Sequence, residues 1–124
     1  QKQNGRPSET VVTHLLFVYT LMMPCEWDEN KNRLNRHKHG LSFEEAQEIF
    51  EGPVLTWTDD RRDYGEIREI SIGIIGETVV VVVAHTRRGE RIRIISARRA
   101  KPVEREKYHA YLEKALGGNQ GPAG

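Results

Sequence analysis

The chain has 124 residues, of which 30% are charged and 37% hydrophobic, and its formal net charge at pH 7 is +1. That length holds one domain around one modest core, and the composition is that of a soluble globular protein rather than a disordered or fibrous one. A net charge so close to zero gives no whole-chain argument for nucleic-acid binding, so such a role has to come from how the charge is distributed.

The run VVTHLLFVYTLMM, Val11 to Met23, is apolar but holds His14 and two threonines, and it is too short for a bilayer-spanning helix. It also lacks the charged start and small-residue cleavage site of a signal peptide. Residues 1–23 are therefore expected to be an N-terminal extension outside the core fold, the alternative being an added edge strand from Val11 to Leu21. Cys25 is the single cysteine, which excludes an internal disulfide and a cysteine zinc cluster and agrees with a reducing cytosol.

WDENKNRLNRHKHG predicts a first helix, with Asp28 as N-cap and Gly40 as a left-handed C-cap glycine. It carries so few apolar residues that most of it must face solvent or a partner. LSFEEAQEIFEGP predicts a second helix, opened by a Ser42–Glu45 capping box and closed by Gly52-Pro53, with Phe43, Ala46, Ile49 and Phe50 as its apolar stripe. From Val54 the pattern becomes that of strands. VLTWT, IREISIGII, TVVVVVAHT and RIRIISARRA are separated by the charged loop DDRRDYGE and by turns at Gly76-Glu77 and at RRGE, which predicts a four-stranded antiparallel meander. Five consecutive valines place one strand at the centre of the sheet. KPVEREKYHAYLEKAL predicts a C-terminal helix with Pro102 in its first turn, and residues 117–124 read as a disordered tail. The expected fold class is α+β: two N-terminal helices, the meander and a C-terminal helix, with residues 24–116 as the domain and the helices on one face of the sheet.

Between Arg87 and Lys107 stand nine Lys or Arg against three acids, a local excess of six positive charges, whereas Glu44, Glu45, Glu48, Glu51, Asp59, Asp60 and Asp63 lie elsewhere. Strict alternation puts Ile92, Ile94 and Ser96 on one face of the last strand and Arg91, Arg93, Ile95 and Ala97 on the other. On the neighbouring strand Glu69, Ser71 and Gly73 would share the arginine face, which makes that face a shallow basic platform. Arg68, Arg87, Arg88, Arg98 and Arg99 would rim it, with Arg98 and Arg99 beyond the strand as a second basic site. Guanidinium forks suit phosphates. The bland alternative, a solvated face laced with Glu66, Glu69 and Glu90, is equally compatible with the pattern.

Lys38 and His39 end the first helix, where the helix dipole favours a cation without any function. His85 ends the central strand, where a structural role is the simpler account. The five histidines show no metal-ligand spacing, and neither a glycine-rich phosphate loop nor a nucleophile elbow occurs. Any chemistry is therefore expected to need no metal and no cofactor, and to rest on acid–base and electrostatic catalysis.

Taken together, WDENKNRLNRHKHGLSFEEAQEIF, DDRRDYGEIREISIG and RIRIISARRA…EREKY resemble the BrnT toxins of bacterial type II toxin–antitoxin systems, over about Glu26 to Leu112. The resemblance implies a compact relative of the RelE ribonuclease fold, cytoplasmic cleavage of RNA that halts translation, and neutralisation by a BrnA-type antitoxin. It further implies that the complex binds operator DNA mainly through the antitoxin. Lys101 departs from the small hydroxyl residue expected as the last helix's N-cap. For metal-independent cleavage by a neighbouring 2′-OH, the expected assignment has Arg93 and Arg98 stabilising the phosphorane and Arg68 and Arg87 clamping flanking phosphates. Lys38, His39, His85 and Tyr108 are acid–base candidates. Glu66 is either a base or a partner of Arg68, and Arg88, Arg91 and Arg99 are further RNA contacts. The reading from another class is a non-catalytic module that binds nucleic acid or protein through the same basic face.

Overall fold

In the computed structural model, which describes residues 23–117, the first helix α1 (Glu29–His39) has the ends its sequence predicts. The Asp28 carboxylate accepts from the backbone N–H of Asn30 and Lys31, at 2.8 and 3.2 Å, and Gly40 closes the helix at φ 69° with its N–H donating to the Arg36 carbonyl. Helix α2 is a single turn, Phe43–Ala46, continued by a 3₁₀ segment at Gln47–Glu51. Its capping box is complete: Ser42 Oγ accepts from the Glu45 N–H, and the Glu45 carboxylate accepts from the Ser42 N–H, both at 3.0 Å.

Strands β2 (Leu55–Asp59), β3 (Arg68–Ile75), β4 (Val79–Arg88) and β5 (Arg91–Arg99) form the expected antiparallel meander. A fifth strand, β1 (Cys25–Trp27), pairs parallel to β5, so the sheet is mixed and ordered β1-β5-β4-β3-β2. The sequence reading of four strands is corrected here. Three residues are too few to show a period of two, and what makes them a strand is the exposed edge of β5. Helix α3 (Pro102–Leu112) follows and runs into a π-helical turn at Glu113–Gly117. The Lys101 side chain makes no cap, since an ammonium has no acceptor. Glu104 serves instead, its carboxylate accepting the Lys101 N–H at 2.8 Å.

The sheet is covered on both faces, contrary to the one-sided packing expected. Leu41, Phe43, Ala46, Ile49 and Phe50 pack with Val54 on Val81, Val83, Ile92, Ile94 and Ala97 of the first face. Helix α3 packs on the second face, where Tyr108 meets Ile72, Val80, Val82 and Ala100. Tyr108 is buried, and its hydroxyl donates to the Pro53 carbonyl at 2.7 Å, which ties α3 to the segment before β2. Val103, in the first turn of α3, is exposed. Helix α3 covers only part of the second face, and the remainder forms the groove described below.

Glu69, Ser71 and Gly73 were expected on the open face and lie instead on the first, with Ser71 fully buried. The reason is steric. The 3₁₀ segment comes so close to the sheet that a Cβ at Gly73 would stand 2.6 Å from Ile49 Cβ and 3.2 Å from Val54 Cγ1. Gly73→Ala is therefore expected to cost about 1–3 kcal/mol by overpacking. An unchanged urea midpoint would show that this segment yields freely.

Met23 is buried in the core, so the core begins one residue inside the segment expected to lie outside it. Residues 1–22, including the alternative edge strand at 11–21, and residues 118–124 lie outside the described residues.

Candidate functional site

The opening between α3 and the far end of the sheet follows from strand register. Asp59, Arg68, Thr86, Arg93 and Glu26 face one another in a row across all five strands, and Trp57, Ile70, Ala84 and Ser96 form the next row. Both rows belong to the second face. Strict alternation would place Arg93 and Arg98 on opposite faces, because they are five residues apart. A β-bulge prevents this: His85 pairs with Ile94 and Ala84 with Ser96, which leaves Ile95 as the extra residue. A bulge re-aims every side chain beyond it. Ser96 and Arg98 therefore join Arg91 and Arg93, while Ala97 turns into the core. Arg98 and Arg99 are within β5, not beyond it as expected.

The floor of the groove is made of small side chains, Ala84 and Ser96, with Ile70 and Val82. Its volume is about 350 Å³, and Trp57, Asp59, Arg61, Arg98 and Glu104 stand around it. Most cations of this face are held by carboxylates. Glu26 receives Arg93 Nη1 at 2.9 Å and lies 3.8 Å from Arg91 Nε. Arg98 forms a two-pronged pair with Glu104, 2.8 Å in each bond, which pulls the Glu104 carboxyl down to about 2. Arg61 holds Asp59 at 2.7 and 2.9 Å, and the Tyr64 hydroxyl donates to the same carboxylate at 3.0 Å. These bonds, that to Arg61 foremost, keep the Asp59 carboxyl well below the usual carboxylate range.

Arg68 is different. Its guanidinium lies over the Tyr64 ring, 4.0 Å from the centroid, and its Nε is buried with no hydrogen-bond acceptor among the described residues. No carboxylate among the described residues pairs with it. Glu66, one of whose expected roles was to partner Arg68, lies 3.4 Å from Arg88 Nη2.

Of the residues singled out from sequence, Arg68, Arg91, Arg93 and Arg98 share this face, and Arg88 with Glu66 sits at its rim. The others are elsewhere. Arg87 is on the first face, with Nε 3.6 Å from Glu69 and Nη1 donating to Met23 Sδ at 3.3 Å. Arg99 is also on the first face and reaches the His39 carbonyl at 3.5 Å, beside Lys38 at the end of α1. Tyr108 is a buried anchor whose hydroxyl burial pushes up to about 12. His85 faces away from the groove and is only 2% exposed.

His85 Nε2 lies 2.8 Å from Ser71 Oγ, and Nδ1 lies 3.8 Å from Glu69 Oε1. This has the residue types of a nucleophilic triad, but Ser71 is completely buried and Phe50 covers the imidazole edge-on at 5.1 Å, so no substrate reaches it. Burial, with a smaller contribution from Arg87, lowers the His85 pKa from 6.5 to about 3. Between those values the unfolded chain binds a proton that the folded one refuses, so stability rises with pH and is lost as pH falls below 6.5. The expected slope reaches about 1.4 kcal/mol per pH unit. Urea unfolding from pH 6.5 down to 5 should show it, and His85→Gln should flatten it. An equal slope in both proteins would mean that His85 is not the source.

Trp57, Arg61 and Ser96 line the groove, with Tyr64 against Arg68 and Glu26 against Arg93 on the same face, and none was singled out from sequence. The one signal for Arg61 and Tyr64 was DDRRDYGE, which reads as a loop and gives no hint of where it folds. Among the described residues no three His, Cys, Asp or Glu side chains gather as a metal-ligand set, and no helix is long and apolar enough to cross a membrane.

The groove and its arginines can be set beside known proteins. The family model described as "Ribonuclease toxin, BrnT, of type II toxin-antitoxin system" matches residues 27–104. That span runs from β1 to the first turn of α3 and contains every arginine of the groove. A search of curated proteins gives no match. Among solved structures, the chain is similar to the crystal structure of the Brucella abortus ribonuclease toxin BrnT, with 24% identity and a TM-score of 0.49. The alignment covers 64% of this chain and 99% of that one. Because the family match takes in well over half of the sequence, the chain belongs to the BrnT family of ribonuclease toxins of type II toxin–antitoxin systems.

Proposed function

We propose that this chain is an endoribonuclease toxin that cuts RNA without a metal ion in the groove of the second face, and that a BrnA-type antitoxin neutralises it. The observation that carries this reading is Arg68, a permanently charged guanidinium held on Tyr64 with a buried donor that has no acceptor among the described residues. A buried donor without an acceptor is costly, and a planar fork is suited to donate to the paired oxygens of a phosphate there. Arg93 stands two strands away in the same row, about 10 Å by strand spacing, and long side chains from both positions can converge on one phosphate above Thr86.

In this mechanism the 2′-oxygen attacks the adjacent phosphorus and the bond to the 5′-oxygen breaks. The products are a 2′,3′-cyclic phosphate and a free 5′-OH, the leaving oxygen taking its proton from solvent water. Arg68 and Arg93 neutralise the charge that builds on the phosphorane, the kind of electrostatic contribution that dominates such reactions. Arg98, held by Glu104 at the start of α3, borders the same groove as a second-rank contact. Glu26, bound by Arg93 and near Arg91, is the carboxylate placed to take the 2′-OH proton. Glu66 sits at the rim on Arg88. Lys38, His39, His85 and Tyr108 are replaced as acid–base candidates, because two lie at the far end of α1 and two are buried away from the groove. The RelE-like ancestry of the sheet, action in the cytoplasm, arrest of translation, and operator binding through the antitoxin all belong to the same proposal.

The test is incubation of purified protein with single-stranded RNA in excess chelator, with the ends of the products identified. Cyclic phosphate and 5′-OH ends are expected. Cleavage that appears only when a divalent metal is added would overturn the metal-free mechanism. No cleavage under any condition, with normal RNA binding, would favour the non-catalytic module.

A further inference from the structure

Trp57 is a large aromatic side chain left 40% exposed on an edge strand, and it forms one wall of the groove. It is not needed for the core, whose two clusters are complete without it. On the same face of the β2–β3 pair it stands diagonal to Arg68, since Trp57 pairs with Ile70 and Asp59 with Arg68. Diagonal positions of this kind are about 7–8 Å apart, within reach of long and aromatic side chains. The ring and the uncompensated guanidinium are thus separated by roughly the distance from a base to its own backbone.

We propose that Trp57 is a base-stacking platform, which holds an unpaired nucleobase of the RNA while Arg68 holds the neighbouring phosphate. This rests on the ribonuclease reading above and adds the form of substrate the groove accepts. Charge assigns the two subsites. Around the ring Asp59 is paired with Arg61 and Glu104 with Arg98, and Asp60 adds a further carboxylate, so this end of the groove suits a flat neutral group rather than an anion. Arg68, whose guanidinium has no carboxylate partner among the described residues, lies one diagonal away. Lys107 sits over the ring at 5.8 Å, the outer limit of a cation–π contact, in the place a base would take. It is exposed on a flexible stem, so a base can displace it, and its ammonium then stays beside the nucleotide that displaced it. A ring face is reachable only by a base that is out of a duplex, which makes single-stranded RNA the occupant.

The experiment titrates the full-length protein with a short single-stranded oligoribonucleotide whose 2′-hydroxyls are methylated, so that binding is read without cleavage. Tryptophan fluorescence reports on the site, because the second tryptophan, Trp27, packs edge-on to Phe43 on the opposite face. Quenching by the single strand is expected, with little by the same sequence in a duplex. Trp57→Ala should weaken single-strand binding by about 5- to 150-fold, the range for loss of one stacked base. Trp57→Phe, which keeps a ring, should recover most of it. Single-strand affinity unchanged in Trp57→Ala would overturn the proposal. So would loss of antitoxin binding alone, which would make Trp57 a protein-docking residue. Wild-type protein that binds through Trp57 but never cleaves would defeat the nuclease reading and leave the stacking site standing. Cleavage with Trp57 indifferent to RNA would do the reverse.

Discussion

Asn35→Leu is expected to destabilise the protein by about 3–5 kcal/mol, although it replaces a polar side chain in a helix by a better helix former. Asn35 is buried, and its amide is fully used across the largest gap in sequence that α1 spans. Nδ2 donates to the Leu41 and Ala97 carbonyls, each at 2.9 Å, and Oδ1 accepts from the Ala97 N–H at 3.1 Å. Leucine would fill the space but leave two carbonyls and one N–H buried without partners, at about 1–3 kcal/mol each before relaxation. Asn35→Asp, nearly the same shape, is expected to be comparably harmful, because a carboxylate would face two carbonyl oxygens. At about 4–8 °C per kcal/mol for a domain of this size, the melting temperature should fall by roughly 12–40 °C. A loss under 1 kcal/mol in either variant would show that α1 is held by other contacts. Ala97 lies just beyond the bulge at Ile95, so Asn35 also fixes the register that brings Arg98 to the groove. A loss of RNA cleavage in Asn35 variants under conditions where they remain folded would reveal that link.

Arg68→Ala is expected to lower RNA cleavage by about 10²- to 10³-fold, the range for losing one preorganised donor to a transition-state oxyanion. Stability should change by less than about 1 kcal/mol. The variant loses a cation–π contact with Tyr64, of order 0.5–1 kcal/mol when exposed, but it also removes a buried donor that had no acceptor. Arg68→Lys keeps the charge and loses the fork, so it should restore activity only in part. The pairing of a large kinetic loss with a small stability change separates a phosphate-binding residue from a structural one. Arg98→Ala, by contrast, should lose both, because Arg98 also anchors the first turn of α3 through Glu104. Full activity in Arg68→Ala would move the site off this face. The remaining cationic cluster, Lys38 and His39 with Arg99 at the end of α1, would then be the place to look.

Much of the local structure was legible because it depends on residues close in sequence. Asp28, Gly40 and the Ser42–Glu45 box mark helix ends through bonds spanning two to four residues, and each bond is present. Gly76 and Gly89 adopt the positive φ that their hairpin turns require. Five valines in a row correctly identified the central strand, since only a strand covered on both faces tolerates them. The same run argued for a sheet covered on both sides, which the assignment of all helices to one face overlooked.

The candidate site was legible as composition and not as geometry. Arginines crowd the last strand, and three of them, Arg91, Arg93 and Arg98, with Arg68 from β3 and Arg88 from β4, do face one groove or its rim. Which ones was not available from parity, because one bulged residue reverses the alternation between Arg93 and Arg98. A bulge carries no marker when the extra residue is an isoleucine among isoleucines. Nor could sequence separate Arg68, which has no carboxylate partner among the described residues, from Arg93 and Arg98, which have one each, since Glu26 and Glu104 arrive from β1 and α3. The α1 helix looked too polar to pack and was expected to face solvent or a partner. It packs through Asn32 and Asn35, whose partners Phe43, Leu41 and Ala97 lie up to 62 residues away.

By itself, then, the sequence determined the caps, the turns, the meander, the central strand and the family, each of which rests on contacts within a few residues or on a pattern repeated along the chain. Only the tertiary structure decided what depends on groups meeting across the sheet. That includes the fifth strand, the second layer under α3, the burial of His85 and Tyr108, and the bulge that gathers the arginines. It also includes the place of Arg68, without a carboxylate partner among the described residues, beside an exposed Trp57. Those properties come from which carboxylate reaches which guanidinium, and that distance is set by the fold.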